Sequence, residues 1–174
     1  MKVIIHHKNS EVKSNTSKEL ERAISAITSV LTTNLKRNPH FAGVKKVNLT
    51  LTLCGKTKIK SLNKIYRQKD KVTDVLSFPL FDMLRSDKKV KEKNLPEMEL
   101  GDLYICREMA KKQAIQFDLT FEQEVIHLAV HGFLHLLGFD HEISVKEEKI
   151  MEKFESELVG KIYKKFNVKK KNKS

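Results

Sequence analysis

The sequence predicts a mixed α/β or α+β domain in which four strands are interspersed with helices. Residues 45–54 alternate apolar and polar side chains, which is the period of a half-buried strand. Residues 17–36 carry apolar side chains at three- and four-residue spacing, which indicates an amphipathic helix. The chain has 174 residues, of which 40% are hydrophobic and 32% are charged. It is therefore globular in character and long enough to bury a substantial core in one domain.

The N-terminal half is predicted to contain two strands and two helices. Residues 2–6 form the first strand, 17–36 the first helix and 45–54 the second strand. Thr57 is expected to cap the second helix, because its hydroxyl can accept a hydrogen bond from an amide of the first turn. That helix places three apolar residues on one side, namely Ile59, Leu62 and Ile65.

The C-terminal half is predicted to continue with two further strands. Residues 73–81 form the third strand, and Pro79 predicts a sheet edge or a bulge at its far end because proline lacks the amide donor. Residues 82–99 form a charged loop with few candidates for the core. Residues 100–106 form the fourth strand.

Three helices are predicted after the fourth strand. The first covers 108–117. Thr120 caps the second, which ends at Gly138, because glycine adopts the left-handed conformation that stops a helix. Ser144 caps the last helix, which is predicted to run through about Leu158.

The net charge of +12 and the isoelectric point near 9.6 favour a polyanionic partner, either nucleic acid or anionic lipid. A lysine-rich composition that implies no partner is the alternative. No apolar run approaches the length of a bilayer span and the N-terminus is not typical of a signal peptide, so a cytoplasmic location without membrane association is predicted. Cys54 and Cys106 lack metal or redox spacing and are predicted to be buried thiols, with no disulfide-linked partner.

The C-terminal end is unusually basic. Residues 160–174 contain seven lysines and no acidic residue. This composition predicts either a frayed, solvated terminus or an electrostatic arm for nucleic acid. We therefore expect a single domain at 1–160 followed by a lysine-rich tail at 161–174.

The segment HGFLHLLGFDH, residues 131–141, is the most informative for function. Its spacing matches a metalloprotease zinc signature, H-E-x-x-H-x-x-G-x-x-H. Residues four apart on a helix lie on one face, so His131 and His135 can form a pair of ligands, and the turn at Gly138 can bring His141 round as the third. Three neutral imidazoles leave one tetrahedral position for water, as in a catalytic zinc site. We therefore predict one Zn²⁺ per chain.

Neighbouring residues offer alternatives. His127 lies one turn before His131 and could replace His141, but three successive turns of a straight helix cannot converge on one ion. His127 and Glu124 are predicted to support the ligands or to pack. Asp140 is expected either to orient a ligand or to shape the turn.

Gly132 occupies the position at which the protease signature has its general base, a glutamate. Peptide hydrolysis by that mechanism is therefore disfavoured. Two options remain: a hydrolase that uses a metal-activated hydroxide directly, or a base supplied from elsewhere in the fold.

Arg67 is predicted to lie at the end of the second helix. A guanidinium binds phosphate and stabilises negative charge that develops on it. Spacing alone favours a surface arginine paired with Asp70 or Asp74. Together with the basic composition, however, Arg67 is consistent with a phosphodiester substrate.

Three segments in order resemble the YbeY endoribonucleases, the bacterial rRNA maturation factors: YRQKDKVTDVLSFP, LGDLYIC and HGFLHLLGFDH. The resemblance runs from about Asn48 to Glu142. Phe139 departs from the tyrosine that often precedes the aspartate in this family. The lysine-rich tail and the charged loop after Phe81 are not covered.

The resemblance implies an α+β fold, with a mixed four-stranded sheet surrounded by about five or six helices and a zincin-like metal helix. It implies a metal-dependent, single-strand-specific endoribonuclease acting in rRNA processing, notably small-subunit 3′-end maturation, and in ribosome biogenesis and quality control. With the zinc site predicted above, we expect a zinc-dependent endoribonuclease. The family's metal ligands fall on His131, His135 and His141, and its phosphate-handling arginine falls on Arg67. These four are the expected catalytic residues. The expected partners are single-stranded RNA, rRNA and the ribosome or its small subunit.

Two other functions remain open on the sequence. One is a metalloprotease whose base comes from Glu124 or Glu142. The other is a non-catalytic ribosome assembly factor in which the metal is structural and the basic surface docks on rRNA.

Overall fold

Four strands form one mixed sheet in the structure, a computed structural model that describes residues 1–9, 17–81, 84–85 and 96–167. The strands are β1 (Lys2–Asn9), β2 (Lys46–Cys54), β3 (Val75–Pro79) and β4 (Glu97–Cys106). Their order in the sheet is β1-β2-β4-β3, in which β1, β2 and β4 are parallel and β3 is antiparallel to β4. The predicted α+β class and the mixed four-stranded sheet are confirmed, and Pro79 lies on an edge strand as predicted.

Within the described residues, five α-helices surround this sheet: α1 (Lys18–Leu35), α2 (Lys56–Arg67), α3 (Arg107–Gln116), α4 (Phe121–Leu136) and α5 (Val145–Phe166). Helix α4 is the most enclosed, because it packs against β3, β4, α1, α3 and α5. This central position explains why the helix is apolar on most of its surface and not only on one stripe. None of the helices in the described part of the chain has the length and apolar character needed to cross a bilayer.

The two faces of the sheet have different cores. Apolar side chains that alternate along β2, such as Leu51 and Leu53, join the main core formed with α1, α4 and α5. The opposite face forms a small cluster beside α2 that contains Cys54, Ile59, Leu76 and Cys106. Cys54 and Cys106 are neighbours on adjacent parallel strands, and both are buried, as predicted.

Of the three predicted helix caps, Thr120 and Ser144 are confirmed and Thr57 is wrong; Ser17, predicted only as the start of the first helix, also acts as a cap. The side chains of Ser17 and Ser144 accept hydrogen bonds from amides of the first turns of α1 and α5, and Thr120 forms a reciprocal capping box with Gln123. Thr57, in contrast, lies inside the first turn of α2, since that helix begins at Lys56, almost directly after β2. Gly55 is at the cap and offers no side-chain hydrogen bond.

The apolar side predicted for α2 is only partly buried. Ile59 is fully enclosed, whereas Ile65 is 65% exposed. The second half of α2 therefore projects beyond the sheet, which leaves its last turn near solvent.

The segment 82–99, predicted as a charged loop, contains the start of a strand and two buried residues, which its high content of charged residues did not indicate. Strand β4 begins at Glu97, three residues before the predicted start, because Met98 and Leu100 alternate into the core. Leu84 and Arg85 are buried, and the Leu84 amide donates to the Leu137 carbonyl at 3.0 Å. Residues 82–83 and 86–95 lie outside the described residues.

Helix α5 continues to Phe166, whereas the sequence predicted an end near Leu158. Val159 and Ile162 are buried and extend its apolar stripe, since α5 packs along α1. The Phe166 carbonyl accepts a hydrogen bond from Arg22 of α1 at 2.8 Å. Residues 161–166 of the predicted tail are thus helical, and residues 168–174 lie outside the described part, so the role of the tail stays a prediction.

Candidate metal centre

The last turns of α4 hold two histidines on one face. His131 and His135 lie four residues apart, and their Nε2 atoms are 3.1 Å from each other. The helix then ends in a left-handed turn at Gly138, whose φ is 88°. The Gly138 amide donates to the His135 carbonyl at 2.9 Å and the Phe139 amide to the Leu134 carbonyl at 3.1 Å, which is the pattern of a Schellman motif.

This turn returns the chain so that His141 faces the other two histidines. The centroid of its ring is 5.2 Å from the centroids of both His131 and His135. One ring nitrogen from each of the three residues lies within 4.8 Å of the others. His127 is not part of this group, and its ring packs edge-on against Tyr163 at 5.6 Å between centroids. The structure therefore brings together the three histidines that the sequence singled out.

The donor chemistry of this cluster fits a borderline-soft divalent ion such as zinc. Burial, followed by the neighbouring His131 and His141, lowers the pKa of His135 to about 4, so this imidazole is neutral at neutral pH and free to ligate. The Nδ1 atom of His141 is buried and has no hydrogen-bond partner in the described part of the chain. A buried ring nitrogen without a protein partner is normally satisfied by a water or an ion, which is consistent with a metal at this cluster.

A carboxylate that sequence reasoning missed supports the first histidine. The Glu155 Oε2 atom lies 3.2 Å from Nδ1 of His131. Metal-binding histidines commonly donate their second ring N–H to such a carboxylate, which fixes the tautomer and leaves the other nitrogen for the metal. Glu155 is on α5, and only the packing of α5 against α4 brings it to the site, so no local spacing could have revealed it.

Gly132 has a packing role at the position of the protease glutamate. A Cβ atom there would lie 2.8 Å from Leu103 Cδ2, 3.1 Å from Ser77 Oγ and 3.3 Å from Val75 Cγ2. Helix α4 thus packs closely on β3 and β4 at Gly132, and a larger residue there would require these side chains to shift. Glycine has no side chain that can accept a proton, so this position cannot supply the general base of the protease mechanism.

Arg67 reaches the same cavity as the histidines. This cavity has a volume of about 350 Å³, and its lining includes Arg67, His131, His135, His141 and Ser77. Arg67 is the last residue of α2, and the chain turns away directly after it because Gln68 is left-handed with φ of 57°. The turn leaves the guanidinium facing the site.

The two carboxylates that spacing suggested as partners of Arg67 are engaged elsewhere. Asp70 forms ion pairs with Lys60 and Lys64 at 3.5 and 3.3 Å. Asp74 accepts hydrogen bonds from the Val75 amide and from Gln113, both at 2.8 Å. Within the described residues, the Arg67 side chain has no hydrogen bond or ion pair, so it remains available for an anion in the cavity.

Other predicted residues divide between this cavity and the next. Asp140 lines the cavity and also accepts a hydrogen bond from the Glu142 amide at 2.9 Å, so it shapes the turn. Glu142 lines the cavity too. Glu124 does not: it is buried beside a second cavity, and burial followed by the nearby Asp74 raises its pKa.

Comparison with known proteins identifies the family to which this chain is related. The model of the family Endoribonuclease YbeY matches residues 5–163. The Endoribonuclease YbeY of Ruthia magnifica subsp. Calyptogena magnifica is 40% identical over 114 residues, which are 66% of this chain and 72% of the relative. The Endoribonuclease YbeY of Aquifex aeolicus is 38% identical over 122 residues, which are 70% of this chain and 75% of the relative.

A solved structure shares the fold over almost the whole chain. The solution structure of TM1509 from Thermotoga maritima is similar with a TM-score of 0.57 and 25% sequence identity, and the match covers 98% of this chain and 100% of that one. The family match runs from within β1 to within α5, a range that contains the three histidines, Arg67 and Glu155. The chain therefore belongs to the endoribonuclease YbeY family, as the three sequence motifs predicted.

Proposed function

We propose that this protein is a metal-dependent endoribonuclease that hydrolyses phosphodiester bonds of single-stranded RNA. The observation that carries the proposal is the convergence of His131, His135 and His141 with Arg67 on one cavity of about 350 Å³. Family membership supports RNA as the substrate, because the curated relatives are named as endoribonucleases.

The three histidines would hold one Zn²⁺, which when bound supplies a Lewis acid and a source of hydroxide at neutral pH. Glu155 keeps the His131 ring in the orientation that directs Nε2 towards His135. Arg67 binds the scissile phosphate and neutralises negative charge that builds up on it, which its planar guanidinium does better than an ammonium group.

The charge of the protein suits a polyanionic strand. The net charge of +12 attracts RNA through its phosphates, and this contribution is independent of sequence and weakens with added salt. From the family resemblance we further propose rRNA as the substrate, in small-subunit 3′-end maturation and ribosome quality control. The small ribosomal subunit would then be the partner and the cytoplasm the location.

The first experiment measures metal content and RNA cleavage together. The purified protein should contain about one zinc per chain by mass spectrometry, and a chelator should abolish cleavage of an unstructured RNA. His135→Ala should lose both the metal and the cleavage. His6→Ala is the matched control, since His6 is an exposed histidine on β1, the edge strand opposite β3. Full cleavage by metal-free His135→Ala would overturn the proposal.

A second experiment separates Arg67 from the metal ligands. Arg67→Glu should bind zinc normally and cleave RNA about 100-fold more slowly, the range seen when a group that stabilises transition-state charge is removed. Lys58→Glu makes the same change in charge on an exposed position of α2 and should have little effect. Normal cleavage by Arg67→Glu would remove this residue from the site.

The two alternative functions give different results in the same assays. A metalloprotease would cleave an unstructured peptide and leave RNA intact. An assembly factor with a structural metal would unfold on chelation, because the free energy of metal binding would then be part of the free energy of folding.

A further inference from the structure

A second cavity adjoins the histidine cavity. It has a volume of about 360 Å³, within the range of about 300–1,000 Å³ that ligand pockets span. The two cavities share Asp74, Val75 and His131 in their linings, so one wall separates them. A nucleotide whose phosphate lies beside the histidines therefore has a neighbouring space for its base.

Of the three carboxylates in this cavity, two already have protein partners. Asp74 accepts from the Val75 amide and from Gln113, and Glu155 is bound to His131. Glu124 lines the cavity and is only 5% exposed, and in the described part of the chain its carboxylate has no hydrogen bond or ion pair. A buried carboxylate normally has its acceptor positions filled, so Glu124 is prepared for a ligand that supplies N–H donors.

The rest of the cavity suits a flat, uncharged group. Phe117 is 58% exposed at the rim, and Leu128 and Val75 provide apolar surface. The carboxylates repel a phosphate, so the sugar-phosphate backbone of the RNA does not enter this cavity. The space is therefore left for a base. Aromatic side chains of this kind stack on unpaired bases in single-stranded RNA.

We propose that this cavity binds an unpaired guanine next to the scissile phosphate, with Glu124 accepting hydrogen bonds from the base. This inference rests on the proposed function. Guanine carries two adjacent donors on its Watson–Crick edge, N1–H and the exocyclic amino group, which match the two oxygens of one carboxylate. Adenine and cytosine offer one amino group beside an acceptor, and uracil offers a single N–H between two carbonyls. Glu124 is thus a specificity-determining residue, and RNA should be cut preferentially beside guanine.

The test uses binding, so that it does not depend on cleavage. Zinc-loaded protein is titrated with fluorescent oligouridylates that carry guanine, adenine, cytosine or uracil at one central position. Their linkages around that position are methylene phosphonates, in which a CH₂ group replaces the bridging oxygen that would leave, so they resist hydrolysis. The guanine strand should bind at least about fivefold more tightly than the all-uracil strand, the lower end of the discrimination that a bidentate base contact gives.

Three variants locate the residues responsible for the preference. Glu124→Gln keeps the shape of the side chain and should reduce the guanine-to-uracil ratio of affinities to near one. Glu122→Gln, which makes the same charge change on α4 outside both cavities, should keep the wild-type ratio. Phe117→Ala should weaken all four strands by a similar factor, because every base has a face that can stack. Circular dichroism and melting curves confirm that each variant is folded.

The outcomes separate this inference from the proposed function. Equal affinity for the guanine and uracil strands, or an unchanged ratio in Glu124→Gln, overturns the guanine site even if unmodified RNA is cleaved. A preference for adenine or cytosine that Glu124→Gln removes would overturn the assignment to guanine. Failure of the metal-loaded protein to cut any unmodified RNA would instead refute the proposed function.

Discussion

The Glu155 carboxylate lies 3.2 Å from Nδ1 of His131, although the two residues are 24 positions apart and on different helices. This contact joins α5 to the end of α4 that carries the histidine cluster. It fixes the His131 ring through its Nδ1 atom, while its Nε2 atom lies 3.1 Å from that of His135. The orientation of His131 thus depends on the packing of a helix that contributes no histidine to the cluster.

Glu155→Gln should lower zinc affinity by about 10- to 100-fold, the usual effect of removing a carboxylate behind a metal-binding histidine. The measurement is a competition titration against a chromogenic chelator. Glu157→Gln is the matched control, since Glu157 is about half exposed on the same helix and pairs with Lys161. Equal zinc affinity of wild-type protein and Glu155→Gln would show that His131 does not need this support.

Zinc should stabilise the folded protein without being required for folding. The main core is built from α1, α4, α5 and the sheet, and the histidine cluster lies at the end of α4, outside it. At a free zinc concentration 100 times the dissociation constant, the free energy of unfolding should rise by about 2.7 kcal/mol. For a protein of this size, each kcal/mol raises the melting temperature by about 2–4 °C.

Calorimetry of zinc-loaded and chelated protein checks this expectation. The chelated protein should still unfold in one cooperative transition, and His135→Ala should show no change on addition of zinc. Loss of the transition on chelation would indicate a structural metal.

The glycines of α4 and α5 should respond to alanine in opposite ways. At Gly132, the new methyl group would crowd Leu103, Ser77 and Val75, and overpacking of this kind costs about 1–3 kcal/mol. The better helix propensity of alanine offsets about 1 kcal/mol, so Gly132→Ala should lower the free energy of unfolding by about 1 kcal/mol.

Gly160→Ala provides the control for that comparison. Gly160 lies in α5, and a Cβ atom added there would have no other atom within 4 Å. Without crowding, alanine should raise the free energy of unfolding by about 0.5–1 kcal/mol through helix propensity alone. Urea denaturation of both variants measures the difference, and equal stabilisation would mean that α4 has room at Gly132.

The stability effect of Glu124→Gln should depend on pH. Burial, followed by the charge of Asp74, raises the pKa of Glu124 above 4.5 in the folded protein. A carboxyl whose pKa is raised on folding stabilises the protein below its unfolded pKa, and this contribution is lost as pH rises through the folded value. Glutamine stays neutral, so the variant should be more stable than wild type at pH 7 and nearly equal to it at pH 4.

Melting curves at several pH values test this sign. Glu122→Gln, at a less buried position of α4, should show a much smaller dependence. If Glu124→Gln were less stable than wild type at pH 7, then the ionised carboxylate would be satisfied in the folded state, which contradicts its isolation in the second cavity.

Local patterns predicted most of the secondary structure and failed where tertiary packing overrides them. The caps at Thr120 and Ser144 were predicted correctly because capping is a contact within a few residues. Strand β4 was predicted to begin too late. The charges of Glu97 and Glu99 obscured the alternation of exposed and buried side chains, which becomes visible only once the strand is packed against the core. Helix α5 was predicted too short, because its last two turns are held by contacts with α1.

The sequence by itself determined the family and the three histidines, because two of them are four residues apart on one helix and a glycine turn directs the third. Only the tertiary structure decided that Arg67 faces the histidines with its nearby carboxylates engaged elsewhere, that Glu155 supports His131, and that Glu124 is isolated in a second cavity. Helix periodicity and turn chemistry act over a few residues and can be seen in a sequence. The contacts of these three side chains join separate helices and strands, whose distances and directions are set by packing of the whole core.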